Sequence, residues 1–274
     1  MLVYQFNLKF NRVNLVIHWI YMWRFNFNFL LLSFTRTTLD LNKVIKIHEL
    51  GLYGYEEAYE YQLRLFNEIV DIKISNRKKK KKIHTLNHLI FVEHHSVYTM
   101  GKSGDISNLL KSEKELLKRG IKFIRTNRGG DITYHGPGQI VCYPILDLDN
   151  FFTDINKYLR SLEEVVIKTL EYYRIYSHRS KNETGVWIKS NNIERKICAL
   201  GFKASRWVTM HGLALNVNTD LSFFNNIIPC GIKNKSITSI SNELGYEIKI
   251  EEVKQKMIEN FSTVFSAELV NWVN

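Results

Sequence analysis

Residues 128–144 read RGGDITYHGPGQIVCYP and run into an apolar stretch from Ile140 to Leu146. Four of the chain's 14 glycines crowd into this segment. Glycine permits positive φ and lets another group lie against the backbone without meeting a Cβ. A glycine cluster opening a buried strand therefore demands a tight turn, or a partner that lies flat on the main chain. Any fold for this sequence must accommodate one or the other.

The remaining pattern mixes helices and strands. Gly54–Ile74 carries Tyr55, Ala58, Tyr59, Gln62, Leu65, Phe66 and Ile69 near helical spacing, and Asp154–Tyr173 carries one apolar stripe from Ile155 to Tyr173. Ile250–Phe265 is a third amphipathic helix, Ser107 is placed to cap a short one running to about Lys118, and another follows Asp220. His88–Val92, Ser96–Gly101, Ile121–Ile124, Ile140–Leu146, Thr184–Ile188, Ile197–Phe202 and Val208–Val217 read as strands. Strict βα alternation is missing, so the fold class is α/β or α+β, a mixed β-sheet flanked by helices. A chain of 274 residues is enough for one sizeable core.

Most of the net charge of +11 sits in residues 1–40 and in RKKKKK at 77–82, leaving the rest near neutral. The basic run is expected as a loop insertion at 75–84, between a helix and the strand from His88. A nucleic-acid role is not expected, because no stacking platform or base-reading motif accompanies the lysines. Residues 1–40 have no acidic residue before Asp40, and neither of their apolar patches is long enough to span a bilayer. They read as a targeting leader, with 41–274 as the folded domain. An apolar stretch followed by a basic one suits import into a plastid of the apicoplast kind; a mitochondrial presequence and an untargeted extension are the alternatives. Membrane integration is not expected, and the default assembly is a monomer.

Three cysteines without a CxxC suggest neither a disulfide scaffold nor a metal site. Cys142 and Cys198 sit inside apolar strand runs and read as core. Cys230, in IIPCGI, lies in a turn that presents its side chain. A nucleophilic thiol needs a nearby cation or base. Lys196, expected at the entrance of the ICALGF strand, is one candidate partner. His135 and His211, each followed by glycine, are the other candidate bases.

Taken in order, RGGDITYHGPGQIVCYPILDL, KICALGFKASRWVTMHGLALNVNTDL, FNNIIPCGI and SITSISNELG closely resemble the lipoyl(octanoyl) transferases, with EHHSVYTMGKSGDISNLL similar to that family's early segment. The resemblance covers about Gly51 to Gly245. It implies the fold of biotin and lipoate protein ligases, with an acyl chain held in a tunnel. It implies Cys230 as acyl-thioester nucleophile and Lys196 as the lysine that lowers its pKa and relays protons. Three substrate-binding stretches are implied: Arg128, Gly129, Gly130, Asp131, Ile132, Thr133, Tyr134 and His135; Ala199, Leu200 and Gly201; and Gly212, Leu213 and Ala214. On this reading glycine lets the backbone approach the acyl chain, and His135 with nearby backbone N–H groups orients the thioester carbonyl. The implied donor is octanoyl-acyl carrier protein. The implied acceptor is a lysine of the lipoyl domain of a 2-oxoacid dehydrogenase E2 or of the glycine cleavage H protein. No ATP, metal or other cofactor is implied. The competing readings are an ATP-dependent lipoate–protein ligase of the same fold and a non-catalytic carrier-binding module.

Overall fold

The computed structural model describes residues 41–80, 83–181, 183–190, 193–228 and 236–272. The leader expected at 1–40 and Cys230 lie outside the described residues. In chain order the elements are β1 (Val44–Tyr53), α1 (Tyr55–Lys79), β2 (Asn87–His94), β3 (Val97–Met100), α2 (Glu113–Leu117), β4 (Lys122–Arg125), β5 (Ile132–His135) and β6 (Gln139–Ile145). There follow α3 (Ile155–Tyr172), β7 (His178–Arg179), β8 (Val186–Ser190), β9 (Ile193–Ser205), β10 (Val208–Asn216), β11 (Ser236–Ile237), α4 (Ile240–Leu244), α5 (Ile250–Phe265) and β12 (Glu268–Asn271).

The main sheet runs β12-β1-β2-β6-β10-β9-β8-β7, with β11 beside β9. The pairs β12–β1, β1–β2 and β11–β9 are parallel and the others antiparallel. A second sheet orders its strands β4-β3-β5. Side-chain alternation separates the faces of the main sheet. Ile140, Cys142, Leu213 and Leu215 join a core with Leu162, Val166 and Leu170 of α3 and Val253, Met257, Phe261 and Phe265 of α5. Val141, Tyr143, Ile145 and Ala214 point the other way, onto Leu65, Phe66, Ile69 and Val70 of α1. The second sheet keeps its own core, in which Tyr98, Ile132 and Tyr134 meet Phe224 and Ile227. Mixed strands with helices on both faces are the fold class expected from the pattern.

Two local expectations need correction. The basic run is not a loop from residue 75: α1 continues through Lys79, and Lys80 ends it in the left-handed conformation at φ 48°. No glycine or proline interrupts the helix there, and cations in its last turn oppose the negative end of the dipole. Lys73 anchors this extension through ion pairs with Asp147 and Asp149, and Asn76 brackets the backbone of Ile83 with bonds of 2.7 and 3.0 Å. Second, Ser107 does not cap a helix reaching Lys118. Asp105 caps a single 3-10 turn at Ile106–Asn108, and Ser112 starts α2 through a reciprocal capping box with Glu115. No helix among the described residues is long and apolar enough to cross a membrane.

Gly212 lies in β10 between β6 and β9, where a Cβ would stand 2.2 Å from the Cys142 carbonyl oxygen and 2.6 Å from Pro144 Cδ. Both obstacles belong to a strand paired on each side, so neither can retreat cheaply. Gly212→Ala is expected to lower the unfolding free energy by about 1–3 kcal/mol, the usual cost of overpacking. Urea titration measures it, and an unchanged midpoint at unchanged slope contradicts the account.

Candidate active site

The cluster at 128–131 is a loop wedged between the two sheets. Gly101 N donates to Asp131 O at 3.3 Å, Lys102 N to Arg128 O at 3.0 Å and Ser103 N to Gly130 O at 3.2 Å. On the other side, Gly129 N donates to Phe202 O of β9 at 3.0 Å. A Cβ at Gly101 would lie 2.2 Å from Gly130 O, and one at Gly201 would lie 2.6 Å from Gly129 O. The group lying flat on these glycines is therefore the chain's own backbone, not first of all an acyl chain. Arg128 locks the loop from inside. It is 8% exposed, and its Nη2 donates to Thr99 O at 2.7 Å and Thr99 Oγ1 at 3.0 Å. Asp131 holds the neighbouring loop by accepting from Asp105 N at 3.2 Å and Asn108 Nδ2 at 2.6 Å.

Beneath this loop lies a cavity of about 400 Å³, within the range of small-molecule sites. Of the first stretch, Arg128, Gly130, Asp131, Ile132, Thr133 and His135 line it, while Gly129 and Tyr134 do not. Gly129 is occupied with β9. Tyr134 faces the second sheet's core, stacked on Phe223 with ring centroids 4.7 Å apart. The other two stretches meet on its floor. Gly212 pairs with Gly201 and Ala214 with Ala199, giving two rungs of small residues with Leu200 and Leu213 between them.

Lys196 lines the same cavity. It sits inside β9, which begins at Ile193, and not at a strand entrance. The register with β8 slips there: Val186 faces Cys198 and Trp187 faces Lys196. A bulge of this kind turns two successive residues to one side. Ile197 and Cys198 are both in the α3–α5 core, which leaves Lys196 on the face of Ala199 and Gly201. Its ammonium lies 4.5 Å from the centroid of the buried Trp187 ring, a cation–π contact. Its carbonyl accepts from Thr238 N at 3.0 Å, just after β11, where Ile237 pairs with it.

Two buried imidazoles, His135 and His211, line the cavity and a third, His94, packs beside His135, each with a tautomer set by its partners. Gln139 Nε2 donates to Tyr134 O at 3.2 Å and Asn216 Oδ1 at 2.9 Å, so Gln139 Oε1 is left to accept from His135 Nδ1 at 2.8 Å. Asn216 Nδ2 in turn donates to Thr238 O at 2.9 Å, beside Lys196. His135 thus carries its proton on Nδ1 and offers Nε2 as an acceptor. It is not the carbonyl-orienting donor expected from sequence, because its one N–H is committed to Gln139. His94 donates from Nδ1 to Tyr53 O at 3.1 Å and receives the Tyr143 hydroxyl on Nε2 at 2.7 Å. His211 Nε2 donates to Asn127 Oδ1 at 2.7 Å. Burial holds all three neutral: His94 is lowered to about 4, and His135 and His211 to about 3, with Arg128 adding to the depression of the last two. Burial pushes the Cys142 and Cys198 thiols upward, which suits them as core and not as nucleophiles.

Sequence reasoning missed Tyr55, Ser103, Val141, Tyr143, Glu183 and Thr184, which also line the cavity. Val141 and Tyr143 had a signal, since they alternate with core positions along β6. Glu183 and Thr184 had none.

Residues 55–262 match the family described as the lipoyl protein ligase A/B catalytic domain. The chain is 59% identical over 231 residues to an octanoyltransferase of Christiangramia forsetii, covering 84% of this chain and 99% of that one. It is 56% identical over 232 residues to an octanoyltransferase of Flavobacterium psychrophilum, covering 84% and 100%. Among solved structures, the lipoate protein ligase of Thermoplasma acidophilum superposes with a TM-score of 0.58 at 16% identity, covering 85% of this chain and 88% of that one, so the fold is shared. The chain belongs to the lipoyl protein ligase A/B family and, within it, to the octanoyltransferases.

The imidazoles carry a pH consequence. His94, His135 and His211, with His48 (lowered to about 4) and His88 (lowered to about 3), are neutral in the folded chain. Unfolded, each takes up a proton below its ordinary value near 6.5. The unfolded state then binds more protons, and stability falls as pH drops from about 6.5 toward 4. Urea midpoints at successive pH values are expected to correspond to uptake of more than one proton on unfolding near pH 5. A flat profile between pH 7 and 5 contradicts the burial of neutral imidazoles.

Proposed function

We propose that this octanoyltransferase moves the acyl group in two steps through a thioester on Cys230. The donor is octanoyl-acyl carrier protein, and the acceptor is a lysine of a lipoyl domain, of a 2-oxoacid dehydrogenase E2 or of the glycine cleavage H protein, in lipoate biosynthesis. In the first step the Cys230 thiolate adds to the octanoyl carbonyl, and the bond from that carbon to the carrier's sulfur breaks. Lys196 receives the proton of Cys230 and returns it to the departing carrier thiolate. In the second step the neutral amine of the acceptor lysine adds to the acyl carbon, the bond to Cys230 breaks, and the amine proton passes by way of Lys196 to the Cys230 sulfur. A thioester is exchanged for an amide, so no ATP is consumed and no metal or other cofactor is required.

The observation that carries the reading is a buried lysine, turned by a bulge onto the end of a slot floored by small residues. What supports Cys230 is its sequence position between Ile228, whose N–H donates to Asn108 O at 2.8 Å, and β11, whose Ile237 pairs with Lys196. Cys142 and Cys198 are buried and protonated, which leaves the third cysteine for the chemistry. Targeting of residues 1–40 to a plastid, or alternatively to a mitochondrion, rests on their composition; the relatives named above are bacterial.

Incubation with octanoyl-acyl carrier protein, without ATP, is expected to add one octanoyl mass to the intact protein. The adduct should be released by hydroxylamine and absent from Cys230→Ser. Lys196→Ala is expected to slow its formation by about 10²-fold or more, the usual weight of a general acid–base. A hydroxylamine-sensitive adduct persisting in Cys230→Ser would reject the nucleophile, and a strict ATP requirement would restore the ligase reading.

A further inference from the structure

The cavity has two unlike ends. Ala199 and Gly201 on β9 face Ala214 and Gly212 on β10, and the next β10 residue, toward its start, is His211. Lys196 therefore stands at one end and His211 at the other, with the two small rungs between them. A strand rise of ~3.3 Å per residue separates Lys196 from Gly201 by roughly 15 Å, part of which the lysine side chain spans. That leaves room for a short acyl chain, not a long one.

His211 is an unusual wall for such a slot. It is a non-glycine residue with φ 59° inside a strand, a conformation rarely held without reason. Its backbone N–H leaves the ladder and donates to Gln62 Oε1 at 3.0 Å. Its ring packs on Tyr59 with centroids 5.8 Å apart. It is 1% exposed, and its Nδ1 has no hydrogen-bond partner among the described residues. Since Nε2 carries the proton, Nδ1 is an acceptor. A saturated acyl chain has no donor to offer it.

We infer that His211 sets the acyl chain length. A chain ending short of the imidazole leaves the ring where its Nε2 bond to Asn127 and its packing on Tyr59 hold it. Each further methylene has to displace that ring, and hydrocarbon brings no donor to the buried Nδ1 in return. The slot is thus closed sterically, by a ring fixed through its N–H and one of its faces. This rests on the reading that the acyl carbon reacts at the Lys196 end.

The test is transfer by the full chain from hexanoyl-, octanoyl-, decanoyl- and dodecanoyl-acyl carrier protein to an apo-lipoyl domain, for wild type and His211→Asn. Asparagine tolerates positive φ and is shorter, so it opens the slot without forcing the strand. The ratio of kcat/KM for decanoyl over octanoyl is read within one preparation, so any loss of folded protein cancels. It is expected to rise about tenfold or more in His211→Asn, a methylene-scale discrimination. An unchanged ratio overturns the inference. So does loss of transfer for every chain length in a variant whose circular dichroism matches wild type, because His211 would then serve the chemistry and not the length. Wild-type protein that transfers no octanoyl group fails the reading of the reaction itself, a result distinguishable from both.

Discussion

The cavity exists because backbone meets backbone where a Cβ would not fit. The carbonyls of Gly129 and Gly130 occupy the places that side chains at residues 201 and 101 would take. Those two contacts dock the second sheet onto the main one, and Arg128 closes the joint through the carbonyl and hydroxyl of Thr99. The conformational freedom glycine loses here is offset by main-chain hydrogen bonds on both sides of the loop. With the loop in place, the paired glycines and alanines of β9 and β10 become the floor of a roofed slot and not an exposed strip of sheet.

The slot suits acyl transfer because small residues floor it and fixed partners hold its imidazoles. The imidazoles are neutral, and the carbonyls of Gln139, Asn127 and Tyr53 set their tautomers, so none competes as a base near neutral pH. One ammonium, Lys196, is turned into the cavity by a register slip, with an indole face beneath it. The chain from His135 through Gln139 and Asn216 to Thr238 ends on the residue whose N–H binds the Lys196 carbonyl. The roof of the cavity and the backbone of its cation thus belong to one hydrogen-bonded network, which orients both before substrate arrives.

Much of the architecture was legible because long amphipathic patterns are robust: α1, α3 and α5 follow their apolar stripes, and β6 and β10 follow their apolar runs. The three stretches that the resemblance implies for substrate binding were also legible as a group, and the structure brings residues of all three to one cavity. Other features were hidden for physical reasons. Continuation of α1 through Arg77–Lys79 depends on dipole complementarity and on a tether from Lys73 to two distant aspartates. The choice of Ser112 over Ser107 as a cap depends on Glu115 standing three residues after the right serine. The bulge that turns Lys196 toward the cavity depends on β8, which cannot be seen from β9 alone. Tyr134 does not reach the cavity because its ring is stacked on Phe223, although Ile132, Thr133 and His135 all line the slot.

The most direct test is a crystal structure of the chain after reaction with octanoyl-acyl carrier protein. The account predicts an eight-carbon chain lying on the Ala199–Ala214 and Gly201–Gly212 rungs beneath residues 128–133, with its carbonyl carbon at the Lys196 end and its methyl end toward His211. An octanoyl group bound anywhere else, with those rungs untouched, would contradict it.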